Sequence, residues 1–141
     1  MNPPHAVTLG LVEEAIRAAF GSGWWLRHQS PLILGEDLDP EPDLAVVPGR
    51  PRDYAGHPTT AELVVEVADS SLDFDTNEKR LLYARAGIRD CWVVDINGRR
   101  LLVYRDPRAG DYAIQHVLGP ADTVAPLAAQ AAVVRVADLL P

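Results

Sequence analysis

Cysteine and lysine each occur once in the 141 residues, as Cys91 and Lys79. A lone cysteine excludes an intramolecular disulfide framework. No stretch approaches the roughly 18 apolar residues of a membrane-spanning helix, because charges or prolines interrupt every hydrophobic run. The opening residues, MNPPHAVTLG, lack the basic flank and apolar core of a signal peptide. A soluble protein of the reducing cytoplasm is therefore expected, with no membrane partner. Net positive charge is also missing. The formal charge of −7 argues against a protein that coats nucleic acid by charge alone, although a metal-dependent site can be acidic overall. Arginines cluster at Arg80, Arg85 and Arg89 and again at Arg99, Arg100, Arg105 and Arg108; such patches can track phosphates, with a solvated helix face and a hairpin as the favoured reading.

Catalytic fingerprints are equally scarce. There is no G-x-S-x-G elbow, Walker loop or G-x-G-x-x-G turn, which removes the serine hydrolase, P-loop and dehydrogenase readings. His5, His28, His57 and His116 have no metal-ligand spacing and Cys91 has no Cys-x-x-Cys partner, so zinc is not expected. Trp24 and Trp25 read as buried in a sheet or interface, with base stacking as the alternative, and Trp92 reads as core.

What is present is globular. With 48% hydrophobic and 23% charged residues, the chain has an ordinary composition. It is expected to form a single domain over residues 1–141, burying about two-thirds of its unfolded surface. Val7, Leu11, Val12, Ala15, Ile16 and Ala19 make one helical stripe that Gly21 ends. Strands are predicted over WWLRHQS, DLAVV and AELVVEVA, the last of them central, separated by proline-rich loops. A helix follows, with Asp75 as N-cap, Glu78 in a capping box and Gly87 at its end. CWVVDINGRRLLVYRDP reads as two strands joined at Asn97-Gly98 in a type I′ turn. YAIQHVL continues as a strand and AVVRVADLLP as a late strand or edge segment. The order is αβββαβββ, an α/β class with a mixed sheet, and the unit from Glu62 to Ile96 is long enough for a parallel crossover. No internal repeat is visible.

Two carboxylates and the lysine stand out. Alternation puts Glu66 on the same face as Val64 and Ala68, in an apolar neighbourhood. A carboxylate there needs a cation, a metal or strong donors; an arginine ion pair and a metal-ligand role both remain open. Asp43 opens the preceding strand, where it is either a turn residue or a neighbour of Glu66. Two carboxylates brought together repel until a divalent cation removes the repulsion, and oxygen donors of this kind suit Mg²⁺ or Mn²⁺. Lys79 stands alone beside twelve arginines. It either marks a position where a compact, movable ammonium is needed or is an exposed residue paired with Asp75.

The successive pieces HAVTLG, PEPDLAVV, ELVVEVADSS, the aspartate and lysine of DFDTNEK, and YARAGIRDCWVVD resemble the Uma-two restriction endonuclease family, within the PD-(D/E)XK nuclease superfamily. The resemblance covers nearly the whole chain, most specifically Pro42 to Asp95. It implies a restriction-endonuclease-like core, a central mixed sheet flanked by helices. It also implies a Mg²⁺- or Mn²⁺-dependent endonuclease acting on DNA, with Asp43, Glu66 and the main-chain carbonyl of Val67 as metal ligands. The motif's lysine falls at position 68, which is Ala68; Lys79 matches the migrated position on the following helix. Asp43, Glu66 and Lys79 are thus the candidate catalytic residues, and Glu14 a weaker one, for which a solvated helix face is the alternative. A homodimer is expected, because a small nuclease must reach both strands to make a double-strand cut. Family members usually carry an acidic hairpin before the position of His5, and this chain begins four residues ahead of it, so either the start is misassigned or this is a shortened member whose site or sheet edge is incomplete. Net negative charge leaves a second reading, a catalytically inactive nuclease-fold protein acting as a binding or interaction module.

Overall fold

The computed structural model describes residues 3–35, 38–69 and 74–141, with side chains in the last segment from residue 76 onward. Helix α1 spans Pro3–Phe20 and stops at Gly21, whose φ of 73° only glycine adopts without strain. Its buried row is Thr8, Val12, Ile16 and Phe20, one residue per turn. The expected stripe began at Val7, which is 53% exposed. The helix instead turns Thr8 inward, and the Thr8 hydroxyl donates to the Pro4 carbonyl at 2.7 Å, which removes the cost of burying it.

Six strands follow in one sheet whose spatial order is the chain order: β1 (Trp24–His28), β2 (Leu44–Pro48), β3 (Leu63–Ala68), β4 (Asp90–Asp95), β5 (Arg100–Arg108) and β6 (Asp111–Leu118). Neighbours are antiparallel except β3 and β4, which run parallel and are joined through helix α2 (Phe74–Arg85). The interior place of β3 and the parallel crossover are as the sequence suggested. Both faces of β3 are covered, because Leu63, Val65 and Val67 pack with Val12, Ile16 and Phe20 of α1, while Val64 and Ala68 pack with Tyr83, Ala84 and Ile88. A strand buried on both sides reads as a continuous apolar run, which is why LVVEVA is so rich in valine.

Helix α2 ends at Gly87, with φ 78°. Gly87 donates its N–H to the Ala84 carbonyl at 3.0 Å and Ile88 donates to Tyr83 at 3.1 Å, with Ile88 fully buried. The expected N-cap, Asp75, falls in the helix's first turn, and its side chain lies outside the described residues.

The β4–β5 turn corrects the type I′ expectation. Four residues, 96–99, separate the paired Asp95 and Arg100, and the positive φ belongs to Arg99 (48°), not to Asn97 or Gly98. Side chains shape this turn: Asn97 donates to the Asp69 carbonyl at 2.7 Å and the Gly98 N–H donates to Asp95 at 3.1 Å. Gly98 is needed for close approach, since a Cβ there would collide with the Asp95 carboxylate. The late strand, β8 (Val134–Arg135), pairs with β7 (Thr123–Val124) in a separate two-stranded ribbon, and the following 3₁₀ turn Val136–Leu139 closes the core against α1. No helix among the described residues is long and apolar enough to cross a membrane.

The Gly98 contact gives a direct test. Gly98→Ala should lower unfolding free energy by about 1–2 kcal/mol in urea denaturation, because either the turn or the Asp95–Arg100 ion pair must shift; a variant as stable as wild type contradicts this.

Candidate active site

Strand register does most of the assembly. Leu44 pairs with Val65, and continuing that ladder by one residue sets Asp43 opposite Glu66. Backbone and side chain then cross over: the Asp43 N–H points at Glu66 Oε1 at 3.4 Å, and the Val67 N–H donates to Asp43 Oδ2 at 2.8 Å. Each carboxylate thus caps the other strand's backbone.

Glu66 faces α2, where two side chains one turn apart meet it. The Lys79 ammonium lies 3.7 Å from Oε1, and the Tyr83 hydroxyl donates to Oε2 at 2.6 Å. The two oxygens are therefore held from different directions. Glu66 is buried, whereas the Lys79 side chain is 31% exposed. Its other flank lines a groove of about 320 Å³ with Leu38, Pro40, Glu78, Leu82 and Arg85. A larger hollow of about 630 Å³, beside Arg105 and His116, belongs to β5, β6 and the C-terminal segment and shares no lining residue with this cluster.

Burial pushes the Glu66 carboxyl up to about 7; the Asp43 charge adds to this, while Lys79 and the hydrogen bond from Tyr83 oppose it. Burial and the adjacent Glu66 also raise the Tyr83 hydroxyl far above its ordinary value, so it stays a donor. At neutral pH the carboxyl is poised between its two states, and any added positive charge tips it to the carboxylate.

Reasoning from spacing gave His5 and Tyr83 no role, yet both join the cluster. His5 Nε2 lies 3.6 Å from Asp43 Oδ2. A histidine sharing the apolar helical spacing of Leu9, Val12 and Ile16 was the available signal, as was Tyr83 four residues after Lys79. Glu14 goes elsewhere. It is exposed, beside Ala137 and Leu140, and nine residues of helix, about 13 Å, separate it from His5. The solvated-face alternative describes it.

The family profile described as "Putative restriction endonuclease", Uma2, matches residues 1–137 of this chain. The chain belongs to the Uma2 family. Among solved structures it is similar to a crystal structure titled a "putative nuclease belonging to DUF820" from Anabaena variabilis, at 17% identity and a TM-score of 0.79. The match covers 99% of this chain and 81% of the other, and it shows the shared fold: a mixed sheet flanked by helices. No curated protein matches in sequence.

The donor set in this Uma2 chain fits a hard divalent cation. Asp43 and Glu66 offer carboxylate oxygens whose mutual repulsion such an ion would relieve. No group of three or more His, Cys, Asp or Glu side chains converges among the described residues. An ion held here would therefore need ligands beyond these two carboxylates.

The raised carboxyl has a measurable consequence. Between its unfolded value, near 4.5, and its native value, about 7, the native state holds a proton that the unfolded chain has released. Stability without metal therefore falls as pH rises through that window. In EDTA, the stability of Glu66→Gln relative to wild type should rise between pH 5 and pH 8 by up to about 3 kcal/mol; urea denaturation showing the opposite trend would contradict the assignment.

Proposed function

We propose that the protein is a Mg²⁺- or Mn²⁺-dependent DNA endonuclease that hydrolyses phosphodiester bonds. The observation that carries this reading is the convergence on Glu66 of Asp43, from the neighbouring strand, and Lys79, the sole lysine of the chain. Family membership supports the nuclease class.

In this reading Asp43, Glu66 and the main-chain carbonyl of Val67 hold the cation. When bound, it supplies Lewis-acid polarisation of the phosphate and lowers the pKa of a water molecule. Lys79, with one flank on Glu66 and the other on the open groove, is placed to orient that water or to stabilise charge developing on the phosphoryl oxygens. Tyr83 fixes the Glu66 rotamer and favours its ionised, ligating form by donating to it. Ala68, buried under α2 where the superfamily motif has lysine, packs in the core, and the helix delivers the ammonium instead.

Supercoiled plasmid incubated with Mg²⁺ or Mn²⁺ should be nicked or linearised. Glu66→Gln and Lys79→Ala should each lose about 10²–10³-fold in rate while keeping wild-type circular dichroism. Both variants cutting as fast as wild type sinks the site assignment. The net charge of −7 favours a second reading, a nuclease-fold protein that binds without cutting. Calorimetry with Mn²⁺ separates the two: heat that disappears in Asp43→Asn supports the metal site, and its absence in wild type supports the second reading.

A further inference from the structure

Partly buried arginines in this molecule hold carboxylates: Arg105 pairs with Asp90, Arg100 with Asp95 and Arg80 with Asp111. Arg27 does not. It is the most buried arginine of the described residues, at 5% exposure, yet none of their carboxylates pairs with it. The guanidinium donates to the Pro31 carbonyl at 2.7 Å, and its other terminal nitrogen meets His57 Nδ1 at 2.9 Å. Its Nε–H is buried without an acceptor. The chain has 20 acidic residues against 13 lysines and arginines, so carboxylates are not in short supply. A buried cation surrounded only by neutral groups is expensive, and burial pulls its pKa below the ordinary arginine value. Two hydrogen bonds to neutral groups and the Trp25 ring face are all that the described residues set against that cost.

Position turns the anomaly into an argument about a ligand. Arg27 pairs with Ala45, whose side chain lies on the α2 face of the sheet, the face that carries Glu66. Asp43 is two residues along β2 from Ala45, so strand spacing sets Arg27 roughly 8 Å from Asp43 at the Cα atoms. Beside the guanidinium is a row of half-buried rings: it lies 4.9 Å from the Trp25 ring centroid, and Trp25 lies 5.5 Å from Tyr54. His57 is exposed and sits in the loop between Asp53 and Leu63, which makes it a displaceable partner.

We propose that Arg27 is a phosphate subsite, taking a phosphodiester next to the one held at Asp43 and Glu66, with Trp25 and Tyr54 offering ring faces to the adjoining sugar or base. Naming the ligand as a nucleic-acid strand rests on the endonuclease reading; the need for an anion does not. The guanidinium fork suits two phosphate oxygens. An incoming phosphate takes the donor now shared with His57 and supplies the charge that the fold withholds.

Two measurements test this. Fluorescence anisotropy with a labelled oligonucleotide in EDTA reads binding without cutting, and NMR of the wild-type protein titrated with inorganic phosphate needs no variant. Arg27→Met should bind the oligonucleotide about tenfold more weakly, with a salt slope smaller by about one. Phosphate should shift the Trp25 indole and Arg27 Nε–H signals of the wild type. If the wild type ignores the oligonucleotide while phosphate still shifts those signals, the endonuclease reading fails and the anion subsite stands. Equal affinity and salt slope in wild type and Arg27→Met, with no phosphate-induced shift at either signal, overturns the proposal. Should Arg27→Met fail to fold, the wild-type titration alone decides, and unmoved signals again overturn it.

Discussion

The Glu66 carboxylate lies on an apolar face of an interior strand, and its burial sets the terms for everything around it. A charge in that position is tolerated only while donors surround it, and they come from two separate elements: the Asp43 amide beside β2, and the Lys79 ammonium and Tyr83 hydroxyl on α2. Helix α2 must therefore cross with one particular face toward β3. The Gly87 termination, which ties Ile88 back to Tyr83, fixes that face from the helix's C-terminal end. Low local dielectric then strengthens each of these contacts beyond its worth at the surface. Removing one of the donors leaves the others sharing a charge they cannot fully satisfy.

The fold was legible where periodicity and turn chemistry agreed. LVVEVA reads as buried because valines occupy both of its faces, and Gly21 and Gly87 mark helix ends by the only conformation that lets those helices stop there. Asn97-Gly98 misled, because the dipeptide is common in type I′ turns, whereas here Asn97 and Asp95 spend their side chains on neighbouring backbone and the turn lengthens. Val7 misled for a related reason: an internal hydroxyl-to-carbonyl bond made Thr8 as cheap to bury as an apolar residue. At the site, Glu66 and Lys79 drew attention by being out of place in composition, and Asp43 by its position at a strand start. His5 and Tyr83 are ordinary residues in ordinary helices. What places them is the angle at which each helix meets the sheet, and no local pattern encodes that angle.

Charge is distributed unevenly across the sheet. On the β4–β5 side, Asp90 and Asp95 are buried and answered: Asp90 takes donors from Arg105, Trp92 and Leu127, and Asp95 from Arg100 and Gly98. On the β1–β3 side, burial raises the Glu66 carboxyl to about 7, and none of the described carboxylates pairs with Arg27. The first half of that contrast stabilises the molecule. The second half stores unmet electrostatic demand, and it does so on a single face of the sheet. Well-paired and poorly paired charges are thus assigned to different strands.

The sheet's connections also divide it in time. Four residues join β4 to β5 and two join β5 to β6, so that meander closes through local contacts. Strand β3 is reached from β2 only across the long segment 49–62, and from β4 only around α2. High contact order makes such closures slow and dependent on the rest of the chain. The carboxylate pair straddles one of these long-range ladders and its lysine arrives with the other. A partly folded chain can thus own its hairpins while having no assembled charge cluster, which links the maturation of the cluster to completion of the whole sheet.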